Sequence, residues 1–207
     1  MTDLAVERTP SEVAHDDGHS HPTSTGISNE KLAMWAFLGS ECLLFGGLIS
    51  TFLLYKERAS GGETPHDLYD LAFTSISSFV LLMSSLTMVL AVSAISRGDD
   101  RALRAWLLVT ALLGSIFISG QVYEFKEFLN EGLGFTTSPA GSAFFTLTGF
   151  HGVHVTIGIV MLISAALLSR SGRITQRNAE AVEIVGLYWH FVDVVWILIF
   201  TVVYLIK

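Results

Sequence analysis

Five long apolar runs constrain this chain more than any other feature. They extend from about Leu32 to Tyr55, Leu71 to Ser96, Ala102 to Phe128, Ser142 to Ser169 and Ala181 to Ile206. A bilayer core about 30 Å thick is crossed by about 20 apolar residues wound as α-helix. In lipid every backbone N–H and C=O needs a partner within the protein, so a span is a helix or a strand of a closed barrel. These runs are too long and too continuous for barrel strands. The expected fold class is all-α, an integral membrane bundle of five transmembrane helices. Composition agrees: 15% of the residues are charged, against about a quarter in soluble domains. The mean hydropathy is +0.55.

Residues 1–30 are polar, with Pro10, Pro22 and the acidic stretch Glu12-Val13-Ala14-His15-Asp16-Asp17. They hold too little apolar surface to order themselves and no apolar stretch of a signal peptide. The expectation is a disordered or partner-bound tail, followed by one five-helix domain over residues 31–207. His15, His19 and His21 are loosely spaced in that tail, which suits adventitious metal binding better than a site. The loops are short and carry Gly, Pro and charges, as in Ser60-Gly61-Gly62-Glu63-Thr64-Pro65. Short loops make neighbouring helices antiparallel.

Lys and Arg set the expected orientation. Arg8, Lys31, Arg97, Arg101, Arg104, Arg170, Arg173 and Arg177 fall on one side, and Lys56, Arg58, Lys126 and Lys207 on the other. This bias puts the N-terminus in the cytoplasm and the C-terminus outside. The net charge of −7 owes much to the tail and says little about function. No basic patch for nucleic acid is present. Cys42 is the single cysteine, so no internal disulfide forms. Small residues recur within the spans, among them Gly39, Gly46, Gly47, Ser84, Ser85, Gly149 and Gly152. They point to close helix packing.

Ionisable groups at membrane depth are costly and mark sites. Glu41 lies ten residues beyond Lys31, about 15 Å along a helix and near the midplane. It is either a proton-linked carboxyl or a structural acid bonded to a neighbouring helix. His151 and His154 are three apart and share a helix face, and His190 and Asp193 repeat the spacing. Both pairs stand about ten residues into their spans, placing them near one level with Glu41. Two imidazoles with two carboxylates suit a metal site. They equally suit a hydrogen-bonded network that staples three helices. Tyr123-Glu124-Phe125-Lys126-Glu127 ends the third span at an interface.

These strings resemble one family. Tyr188-Trp189-His190-Phe191-Val192-Asp193-Val194-Val195-Trp196 is similar to the last helix of haem–copper oxidase subunit III. Thr148-Gly149-Phe150-His151-Gly152-Val153-His154-Val155 resembles its penultimate helix. Ser40-Glu41 before Leu43-Leu44-Phe45 resembles the segment bearing the family's buried, carbodiimide-reactive carboxyl, a role that would fall on Glu41. Tyr123-Glu124 occupies the matching place before the fourth span. The resemblance covers Lys31 to Lys207. Many members have seven helices. This chain lacks the first two, as do bo-type quinol oxidase and several bacterial cytochrome c oxidases, so one wall of the family's lipid-filled cleft is missing. Gln121 stands where the family has a carboxylate, so a proton-antenna role does not carry over.

The resemblance implies a non-catalytic subunit of a proton-pumping terminal oxidase in a bacterial cytoplasmic membrane. It implies no cofactor and no metal on this chain, with haem and copper on partner subunits I and II. It also implies bound phospholipid, packing against subunit I, and durable proton uptake and turnover. A larger respiratory supercomplex is compatible with it. Glu41, His151, His154, His190 and Asp193 become a buried polar network. Tyr123, Glu124, Trp189 and Trp196 become candidates for lipid or interface contacts. Cytochrome c is the expected electron donor, with quinol the alternative. Two other classes compete. A membrane metalloenzyme would use His151, His154, His190 and Glu41 as ligands, but the chain lacks the Glu-x-x-His pairs of di-iron bundles. A proton-coupled transporter would show an inverted repeat and paired broken helices, and none is visible.

Overall fold

The computed structural model describes residues 28–58, 71–130, 135 and 138–205. Five helices account for nearly all of them: α1 (Asn29–Arg58), α2 (Leu71–Ser96), α3 (Asp100–Asn130), α4 (Pro139–Arg170) and α5 (Ala179–Phe200). A π-helical turn, Thr201–Leu205, continues α5. All five are long and apolar enough to cross a membrane. The chain is a multi-pass membrane protein. Residues 1–27, with His15, His19 and His21, lie outside the described residues, as do the loop Ser60–Pro65 and Lys207.

Local chemistry explains the helix ends. Ser28 accepts the Lys31 amide at 3.3 Å, so α1 begins inside the segment expected to belong to the tail. Between α2 and α3 the chain reverses through Gly98, at φ +73°, a conformation that glycine adopts without steric cost. Asp99 Oδ1 then accepts the amides of Arg101 at 3.1 Å and Ala102 at 3.0 Å, satisfying donors that a helix start leaves open. At α4, Ser138 accepts the Gly141 amide at 3.0 Å, and Pro139 occupies the first turn, where its missing N–H costs nothing.

The helices pack as α2 on α3, α3 on α4, α4 on α5, α5 on α2, and α1 on α4 and α5. Only 17% of the most apolar window of α1 is buried, against 44% for α5, so α5 is central and α1 peripheral. Trp189 on α5 is the keystone of the core. It is 1% exposed, and its Nε1 donates to Ser84 Oγ on α2 at 3.0 Å. A Cβ on Gly114 of α3 would stand 2.5 Å from its ring, and one on Gly158 of α4 would stand 2.8 Å away. Four helices thus meet at one indole.

The closest approaches therefore occur at Gly114 and Gly158. Of the glycines expected to mediate packing, Gly152 does so, since a Cβ there would stand 3.0 Å from Gln121 Oε1 on α3, whereas Gly39, Gly46, Gly47 and Gly149 meet no other atom within 4 Å of a built Cβ. Among the described residues no helix covers Gly39, Gly46 or Gly47, while Gly149 lines a groove between α3 and α4.

Candidate functional site

The polar residues singled out at membrane depth fall into three separate groups: Glu41 with His154, His151 alone, and His190 with Asp193 through Ser85. On the α1–α4 contact, His154 Nε2 lies 3.2 Å from Glu41 Oε2. The pair is not aligned as a hydrogen bond, and that oxygen has no other partner. His154 Nδ1 donates to its own helix, at the Phe150 carbonyl, 2.8 Å away. With Nδ1 protonated, Nε2 faces Glu41 either as an acceptor or as the second N–H of an imidazolium. The Tyr188 hydroxyl from α5 donates to the His154 carbonyl at 3.0 Å, and Phe45 stacks edge-on to the His154 ring at 5.1 Å.

His151 turns the other way, into the bundle. It is fully buried. Its Nε2 lies 3.2 Å from the Val192 carbonyl, the geometry of an N–H donor, while Nδ1 has no partner. Its ring rests on Trp196 at 4.9 Å and meets Phe117 edge-on at 5.9 Å. Although only two residues separate His151 from His154, one serves α5 and the other α1.

The third group lies on the α2–α5 contact. Ser85 Oγ is 2.6 Å from Asp193 Oδ2 and 3.1 Å from His190 Nδ1. Asp193 Oδ1 is buried without a partner. Among the described residues no three His, Cys, Asp or Glu side chains converge as a metal-ligating group.

Trp189 and Trp196, expected as lipid or interface contacts, belong to the core instead, each 1% exposed. They ride on the central helix, and their indole N–H groups need partners in an apolar interior. Ser84 and Ser78 supply them, Ser78 accepting from Trp196 Nε1 at 2.9 Å. Tyr123 is exposed and tilts against Phe73 at 5.6 Å. Glu124 accepts a hydrogen bond from Thr74, joining α3 to α2. Gln121 is buried on α3 with its Nε2 unpartnered. Sequence reading missed Ser78, Ser84 and Ser85 as polar partners, treating the last two as small packing residues. It also missed the ion pair of Lys31 with Glu183 at 2.6 Å, which joins the starts of α1 and α5. The available signal was the need of every buried tryptophan for an acceptor.

Residues 8–207 match the model of the family described as cytochrome c oxidase subunit III. The chain belongs to the cytochrome c oxidase subunit III family. Members of this family serve haem–copper oxidases, complexes that reduce dioxygen. The chain is 40% identical to cytochrome c oxidase subunit 3 of Bacillus sp. (strain PS3), over 86% of each chain. It is 41% identical to quinol oxidase subunit 3 of Bacillus subtilis, over 84% of this chain and 85% of that one. Cytochrome bo(3) ubiquinol oxidase subunit 3 of Pseudomonas aeruginosa is 37% identical over 94% of this chain and 91% of its own. Glu41, His151, His154, His190 and Asp193 all fall within the matched segment.

Proposed function

We propose that this chain is a non-catalytic subunit of a proton-pumping terminal oxidase, packing against subunit I beside subunit II and holding phospholipid on its outer surface. In this reading it carries no active site, and haem and copper reside on the partners. One observation carries it: the costly polar groups at membrane depth are engaged with this chain's own helices. Glu41 faces His154, Ser85 joins Asp193 and His190, and His151 binds the Val192 carbonyl. Such contacts fix a bundle whose apolar surfaces offer few directional bonds. Interhelical hydrogen bonds in lipid average about 0.6 kcal/mol, so several are needed to select one arrangement.

The orientation proposed is N-terminus in the cytoplasm and C-terminus outside, following the arginine-rich side. Residues 1–30 are proposed to form a tail distinct from the five-helix unit, except that Asn29 and Glu30 enter α1. The electron donor proposed is cytochrome c, in a bacterial cytoplasmic membrane. A quinol donor is the second reading, favoured by relatives named quinol oxidase at the same identity.

Removing the chain from the complex tests the main reading. The depleted oxidase is expected to keep its haem and its initial turnover rate, with activity then decaying over successive turnovers. Loss of haem, or an initial rate near zero, would refute it. A copper-binding Cys/His cluster in subunit II would select cytochrome c over quinol.

A further inference from the structure

The arginine-rich side carries a charged surface that helix packing does not use. Arg97 and Arg101 flank the turn from α2 to α3, Arg170 and Arg173 the turn from α4 to α5, and all four are exposed. Gln176 Nε2 donates to the Ser96 carbonyl at 2.9 Å, so the two turns make one surface. Asp99 and Asp100 are the acids on these turns. Asp99 is committed to the backbone, where it accepts the amides of Arg101 and Ala102. The surface is therefore strongly positive.

The residues before α1 have the opposite sign: Asp3, Glu7, Glu12, Asp16 and Asp17 against Arg8. They also start beside that surface. Ser28, immediately before α1, donates to Glu180 at the start of α5, and Lys31 pairs with Glu183 at 2.6 Å. Glu180 stands four residues after Gln176, about 6–8 Å along the helical path. A line of contacts thus runs from Ser28 through Glu180 and Gln176 to Ser96. Asp17 is eleven residues before Ser28, across the polar segment Gly18-His19-Ser20-His21-Pro22-Thr23-Ser24-Thr25-Gly26. A linker of that length and composition spans about 17–20 Å, enough to bring the acids onto the turns. Exposed ion pairs are weak singly, but a tether of this kind raises the local concentration of its end to about millimolar. Untethered headgroups of anionic lipid lack that advantage.

We propose that the acidic segment of residues 12–17 docks on the arginine surface made by the α2–α3 and α4–α5 turns of the same chain. Docked there, it screens Arg97, Arg101, Arg170 and Arg173 from anionic lipid headgroups. The inference rests on the reading of the residues before α1 as a tail. It is independent of the accessory-subunit reading and of which side is the cytoplasm. Two spans separate the tail from the first turn and four from the second, so all three share a side however the bundle is inserted.

The test uses the intact oxidase complex in nanodiscs of phosphatidylcholine and phosphatidylglycerol, so that anionic headgroups compete for the arginines. In a Cys42→Ser background, Gly18→Cys marks the tail beside Asp17, and Ser171→Cys marks the surface between Arg170 and Arg173. Co-purification of this chain with the complex reports assembly. Cross-linking by a short bismaleimide is followed by mass spectrometry of the joined peptides. The acidic tail is expected to link to position 171 about three- to tenfold faster than a tail carrying Glu12→Gln, Asp16→Asn and Asp17→Asn, the ratio a few exposed ion pairs supply. Arg170→Gln with Arg173→Gln should slow the acidic tail toward the neutral one and leave the neutral one unchanged. Salt at about 0.5 M, where the screening length is about 4 Å, should erase the difference. Equal rates for the two tails at low salt would overturn the docking and keep the tail. No link from either tail, or links to another subunit in place of position 171, would overturn the docking and show the residues before α1 held elsewhere.

Discussion

At the residue scale, the Trp189 seat shows how little freedom the interior has. Its indole donates to Ser84 while its ring lies against Gly114 and Gly158. Gly158→Ala places a methyl 2.8 Å from Trp189 Cε3, where backbone and a large buried ring cannot both yield. Overpacking of this kind costs about 1–3 kcal/mol. A lower thermal midpoint of the purified complex checks it, and Gly39→Ala, on an open face, should leave the midpoint unchanged. Ser84→Ala should cost less than Gly158→Ala, because it removes one interhelical bond worth about 0.6 kcal/mol. Glu41 makes a sharper test. A glutamine there retains an amide that can donate to His154 Nε2, so Glu41→Gln is expected to keep the complex together. Glu41→Leu leaves His154 unanswered and should loosen association with subunit I during detergent extraction, read as loss of this chain on gel filtration. A harmless leucine would mean that the carboxyl is not structural.

At the scale of elements, helix number and order were legible because each run exceeds what a bilayer requires. The ends were legible only in part. Ser138-Pro139 is a helix-start signal that places α4 three residues before the apolar run becomes evident, and Asp99 does the same for α3. Apolar periodicity is blind to both, since these ends are polar. Asp99→Ala removes a side chain that accepts two amides. It is expected to destabilise the α2–α3 reversal by about 1 kcal/mol, typical of a lost N-cap. Faster proteolysis at Arg97 or Arg101 in membrane vesicles would report that opening. The π-helical turn at Thr201–Leu205 carried no comparable signal.

At the scale of the whole molecule, orientation is the claim most open to direct measurement. Arg97, Arg101, Arg170 and Arg173 are exposed around two adjoining turns, which Gln176 ties together by donating to the Ser96 carbonyl at 2.9 Å. In a Cys42→Ser background, Arg173→Cys is expected to react with a membrane-impermeant maleimide in inverted vesicles and not in right-side-out ones. Lys126→Cys should show the reverse. The opposite pattern would invert the proposed topology.

The sequence by itself determined that this chain crosses a membrane five times as helices, because backbone in hydrocarbon has no other open-ended solution. It also determined which groups would be costly there. It did not determine which group answers which. Spans that are apolar all round carry no stripe to tell which face turns inward, so the rotation of each helix about its axis stays free in the sequence. Packing around Trp189 sets that rotation. Only then does His151 point to Val192 while His154 points to Glu41, and only then do Ser78, Ser84 and Ser85 become the partners of α5.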